Sequence, residues 1–127
     1  MSREINGRDN VSSILNWLKN LNSITPFKRA VKKLKEKNLI LKVFGAANEI
    51  LNDYTCGELK TGDLSGTRAY EFSYKGVYYR LSYVVYNDQN QLNILFLYFG
   101  TRENYYRELH NIIYSNNSLK KIIDKGI

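Results

Sequence analysis

Cysteine, histidine, proline, methionine and tryptophan each occur only once in this chain of 127 residues. A single cysteine, Cys56, excludes an internal disulfide framework and any cysteine cluster for zinc. As a nucleophile Cys56 needs a basic partner, and no spacing brings the one histidine, His110, beside it, so the thiol reads as an ordinary one. Long apolar runs are missing as well. The longest, around Ile94 to Phe99, is far too short to cross a bilayer. No basic segment followed by an apolar stretch and a small-residue cleavage site opens the chain, so the expected location is cytoplasmic, with no membrane partner.

Acidic residues are the other scarcity. Twelve Asp and Glu face nineteen Lys and Arg, a formal net charge of +7, which favours a polyanion or an acidic protein as partner, or else serves solubility alone. The remaining composition, 43% apolar and 24% charged, is that of a folded globular protein and excludes wholesale disorder. The length suits one domain with one core. Eleven tyrosines are many for this size. In strands they pack half-buried, and at a surface they stack on bases or anchor an interface.

Along the chain, Val11, Ile14, Leu15, Leu18 and Leu21 recur at helical spacing, with Asn10 or Ser12 as cap. Thr25-Pro26 opens a second helix, since proline is preorganised for the first helical turn. Its apolar stripe is Phe27, Ala30, Val31 and Leu34. The other side carries Lys28, Arg29, Lys32, Lys33, Lys35 and Lys37, either a solvated face or a nucleic-acid contact. Asn38 marks a break, and a third helix follows through Ile40, Val43, Phe44, Ala47, Ile50 and Leu51, with Gly45 inside it to permit close packing. Residues 52–66 read as loop.

Three strands are predicted next, at 68–75, 77–86 and 92–99, joined by a tight turn at Lys75-Gly76 and a looser one at 87–90. Alternation puts Tyr70, Phe72 and Tyr74 on one face and Glu71, Ser73 and Lys75 on the other. In the second strand Val77, Tyr79, Leu81, Tyr83 and Val85 oppose Tyr78, Arg80, Ser82, Val84 and Tyr86. The third, LNILFLYF, is apolar enough to be buried on both faces. A helix over 103–114 and a basic tail, SLKKIIDKGI, close the chain. The predicted fold is α+β: N-terminal helices on a small, mainly antiparallel sheet of three to four strands, with a C-terminal helix. Three charges stand where packing does not ask for them, namely Glu71 in AYEFSY, Arg80 in YYRLSY and Arg102 directly after LFLYFG. Each has a plain structural reading. Arg80 and Glu71 can pair across the hairpin, and Arg102 can be a solvated capping cation.

FKRAVKKLKEK, then LKTGDLSG, then AYEFSYKGVYYRLSYVVY, then FGTRENYYREL make a series that resembles the RelE/ParE superfamily, the small basic toxins of bacterial type II toxin–antitoxin systems. The resemblance covers residues 25–114 as the core. Residues 1–24 add an N-terminal helix, residues 115–127 a basic tail, and the family's opening strand has a counterpart only in residues 22–25. It implies a ribosome-associated endoribonuclease that cuts messenger RNA without a metal or other cofactor and is neutralised by a cognate antitoxin. The 2′-hydroxyl attacks the neighbouring phosphate, a base takes its proton, and cations stabilise the phosphorane. By resemblance Arg80 and Arg102 bind the phosphate. Glu71 is the candidate base, and Tyr106 or Tyr105 stacks on a nucleobase while the other packs in the core. Lys60, Arg68 and Lys75 are candidate RNA contacts. The chain departs from RelE, which has lysines where Glu71 and Ser73 stand, and from relatives with histidine-rich sites, since His110 stands alone and reads as a surface residue. Two other functions suit the same fold and charge: a non-enzymatic, ParE-like inhibitor of DNA gyrase, and a phage-type basic module that grips nucleic acid or nucleoprotein without cutting it.

Overall fold

The computed structural model describes residues 10–127, so the beginning of the segment expected as an extra N-terminal helix lies outside the described residues. Helix α1, Val11–Lys19, starts where Asn10 accepts a hydrogen bond from the Ser13 amide, a side-chain N-cap. Helix α2, Thr25–Lys32, carries Pro26 in its first turn and buries Phe27 and Val31, with its lysines and Arg29 outside. The break before the third helix falls at residues 33–36 rather than at Asn38, which lies in the first turn of α3, Lys37–Asn52. Gly45 within α3 is not a packing contact: a Cβ there would meet nothing within 4 Å.

A four-stranded antiparallel sheet follows in the order β1, Glu58–Leu59; β2, Thr67–Tyr74; β3, Val77–Asp88; and β4, Gln91–Thr101. The two-residue β1 lies inside the stretch expected as loop. Both hairpins are tight. Lys75 and Gly76 have φ of 50° and 78°, Gln89 and Asn90 φ of 51° and 63°, the paired left-handed conformations that suit the twist of a two-residue hairpin. The second turn was expected to be looser, and its strands are correspondingly longer. Residues 22–24 also touch the sheet, through a single parallel bridge from Ser23 to Phe96 on the outer edge of β4.

Both faces of the sheet are covered. Helices α1, α2 and α3 lie on one, where Leu81, Tyr83, Val85, Phe96 and Phe99 join Ile14, Leu18, Phe27, Ile40 and Phe44 in the larger core. On the other lie α4, Arg102–Tyr114, and α5, Asn117–Ile123, which bury Tyr105, Leu109, Ile113, Leu119 and Ile123 against Val84, Leu95 and Leu97. Strand β4 serves both cores, as its unbroken apolar run requires. A register shift assists it. Ser82 pairs with Tyr98 and Tyr83 with Phe96, so Leu97 is skipped, and such a bulge rephases the side chains.

The segment expected as a basic tail is therefore helix α5. Its lysines face outward, but Leu119 and Ile123 are buried. It docks closely: a Cβ on Gly66 would stand 2.2 Å from the Ile123 carbonyl oxygen, and Gly66 has φ of +95°, which is open to glycine alone at no steric cost.

Candidate functional site

On the α4 side of the sheet, pairing register assembles one row across three strands. Glu71 of β2 lies directly opposite Arg80 of β3, and Arg80 opposite Gly100 of β4. Alternation sends the neighbouring Tyr70, Phe72, Tyr79 and Leu81 to the other face, where they pack with the larger core. Gly100 adds no side chain of its own beside Arg80, and the Tyr98 ring covers that space: a Cβ on Gly100 would stand 2.8 Å from the ring. Arg102, the first residue of α4, reaches in from the strand's exit. The three charges singled out in the sequence thus meet on one surface.

Arg80 Nε donates to Glu71 Oε1 at 3.0 Å. Arg102 Nη1 lies 3.8 Å from the same oxygen, too far for a direct hydrogen bond. Among the described residues Glu71 Oε2 accepts no hydrogen bond, and the Nη groups of Arg80 donate none. The side chains are 24% (Arg80), 35% (Glu71) and 49% (Arg102) exposed; all three are reachable from solution, and Arg102 most of all. Each guanidinium lies over a tyrosine ring: Arg80 5.0 Å from the centroid of Tyr105, Arg102 4.4 Å from that of Tyr78. Arg102 is not a C-terminal capping cation. It stands at the positive end of the α4 dipole, where a cation is disfavoured, and Thr101 forms the N-cap by accepting from the Asn104 amide.

The two candidate stacking tyrosines separate cleanly. Tyr105 is only 1% exposed, so it cannot receive a base. It is the apolar support beneath Arg80, and burial pushes its hydroxyl pKa up to about 12. Tyr106, half exposed, donates to Asp63 Oδ2 at 2.7 Å, and that bond is the main cause of its raised pKa. It begins a stacked column on α4, Tyr106 against His110 and His110 against Tyr114. His110 is thus held between two rings, with Nε2 3.9 Å from Asp63 Oδ2, rather than free at the surface.

The weaker RNA-contact candidates are engaged elsewhere. Arg68 donates to the backbone oxygens of Ile127 and Gly57 and alternates to the face opposite Glu71. Lys75 sits in the hairpin turn, bound to Glu36 from the start of α3. Lys60 pairs with Glu58 and is only 19% exposed. Sequence alone gives Glu58 no place in the site, because residues 52–66 read as loop and β1 is only two residues long. Glu58 sits opposite Ala69 and is near enough to Arg80 for the guanidinium to favour its charged form, after the larger effect of Lys60. Tyr78 was also passed over, although its position two residues before Arg80 assigns it to the same face.

Cys56 has no histidine at hand. Cys56 is an exposed residue, yet desolvation of its thiol raises the pKa, and a raised thiol is a poor nucleophile at neutral pH. Among the described residues no three of His, Cys, Asp and Glu gather as a metal's donor set, and no helix is long and apolar enough to cross a membrane. A groove of about 910 Å³ on the α1–α3 side is lined by Trp17, Leu51, Tyr86 and Leu92 among others. Among the described residues that line it Asp53 alone is charged, which gives no grip on a phosphate.

No curated protein and no solved structure matches the chain. One family model does, over residues 21–110, and its description is ParE-like toxin of type II bacterial toxin-antitoxin system. The match begins after α1 and ends within α4, so it spans the sheet and all three charges of the row. With most of its length matched, the chain belongs to the ParE-like toxins of type II bacterial toxin–antitoxin systems.

Proposed function

We propose that this toxin, whose family implies an antitoxin partner, is a ribosome-associated endoribonuclease that cuts messenger RNA at the Arg80–Glu71–Arg102 row. One observation carries the reading: among the described residues, two guanidiniums converge on one oxygen of the Glu71 carboxylate while the other oxygen accepts no hydrogen bond. Glu71 Oε2 would take the proton of the RNA 2′-hydroxyl. The resulting alkoxide attacks the adjacent phosphorus, and the bond to the 5′-oxygen breaks. A 2′,3′-cyclic phosphate and a 5′-hydroxyl are left, the departing oxygen taking up a proton. The free donors of Arg80 and Arg102 would bind the phosphoryl oxygens as negative charge builds on them, and bidentate guanidinium geometry suits that task. Tyr106, exposed one helical turn beyond Arg102, is the base-stacking candidate.

A second reading, inhibition of DNA gyrase without catalysis, is favoured by the direct cross-strand pairing of Arg80 with Glu71. Such a pair stabilises a hairpin without any chemistry. The two separate on induced cells. Arg80→Ala should abolish growth arrest while circular dichroism stays native, with transcripts cut within translated codons by the wild type only. Intact transcripts together with falling plasmid supercoiling would establish the gyrase reading instead.

A further inference from the structure

We infer that Tyr78 is a positioning residue for Arg102: its ring holds the guanidinium beside Glu71 while leaving the N–H donors open to a bound phosphate. The inference rests on the phosphodiester reading of the row.

Tyr78 lies two residues before Arg80 in β3 and shares its face. Its cross-strand neighbour is the small Ser73, and the ring is 46% exposed. Core packing therefore does not account for an aromatic residue here. Arg102 lies over that ring at 4.4 Å, closer than Arg80 lies to Tyr105 at 5.0 Å. Among the described residues the Arg102 guanidinium makes no hydrogen bond, and its approach to Glu71 stops at 3.8 Å. An arginine 49% exposed has several rotamers open to it and loses entropy when held in one.

A guanidinium held over a ring is attracted to its π surface and spends none of its N–H groups on a hydrogen bond. Those are the groups that a phosphoryl oxygen accepts from. Without the ring, Arg102 has two alternatives: direct closure onto Glu71, which consumes its donors, or release into solvent, which removes preorganisation. Leucine at position 78 fills similar space without the quadrupole, whereas phenylalanine retains it.

The test is a double-mutant cycle read on RNA cleavage by programmed ribosomes. Tyr78→Phe should stay within about twofold of wild type, and Tyr78→Leu should lower kcat about fivefold with little change in KM. In an Arg102→Ala background Tyr78→Leu should add nothing, since its effect passes through Arg102. An equal loss in both backgrounds, or none in the wild type, overturns the inference and leaves the nuclease reading standing. If the wild type leaves RNA intact, the nuclease reading fails, and the stack is judged on the side-chain Nε–Hε resonance of Arg102. That resonance should be displaced by the ring in wild type and Tyr78→Phe and should relax in Tyr78→Leu. Identical resonances in wild type and Tyr78→Leu overturn the inference, and the same spectra report whether the variants are folded.

Discussion

Glu71→Gln separates a catalytic carboxylate from a structural one, because the two roles predict effects of different size. The substitution keeps the shape and leaves an amide oxygen to accept the Arg80 Nε–H hydrogen bond of 3.0 Å. Only the charge is lost. With the partners 24% and 35% exposed, solvent screens the pair, and its loss should cost about 0.5 kcal/mol, or about 2 °C in melting temperature for a domain of this size. If Glu71 is the base, the rate should fall about 100-fold or more, equivalent to about 2.7 kcal/mol of barrier. The row also changes from two cations with one anion to two uncompensated cations, so the phosphate should bind no more weakly and KM should not rise. Thermal unfolding and single-turnover RNA cleavage on the same preparation give both numbers. Undiminished cleavage would refute the base assignment, as would a decline that merely tracks the loss of folded protein.

Other consequences concern the scaffold. Gly45→Ala should stabilise the protein by about 1 kcal/mol, read as a higher urea midpoint, since the glycine sits inside α3 with open space at its Cβ. Leu119→Ala should destabilise by about 3 kcal/mol in the same assay, because α5 buries this side chain in the second core; a true tail would show almost no change. Hydrogen bonds from Lys75 and Tyr74 hold the Glu36 carboxyl below its ordinary pKa. A lowered folded pKa contributes stability above the unfolded value and loses it as pH falls through the folded one. Urea titrations across the acid range should therefore show a shallower decline for Glu36→Gln than for the wild type.

How far the sequence carried depends on the range of the interaction involved. Alternation placed Glu71 and Arg80 on one face without any structure, because a strand's period is local. The helix start at Thr25-Pro26 was equally legible, being set by a few neighbouring atoms, and Asn10 is one of the two caps expected for α1. The Tyr105–Tyr106 ambiguity could have been resolved too. Tyr105, Leu109 and Ile113 share helical spacing and face the core, which turns Tyr106 outward. Helix α5 carried Leu119, Ile122 and Ile123, but its lysines outweighed that short signal. The partners of Lys75 and Arg68 were not legible at all. Glu36 is 39 residues from Lys75 and Ile127 is 59 from Arg68, and only the completed fold brings them together. Strand β1, two residues long, is defined wholly by its pairing with β2. The row itself needed both kinds of information: alternation set its face, and register then placed Gly100 beside Arg80.

The central claim is that this toxin breaks RNA at the row, and mapping transcript ends by primer extension after brief induction tests it most directly. The account predicts new 5′ ends within translated codons for the wild type and none for Arg80→Ala at equal protein level. Growth arrest with every transcript intact would contradict it.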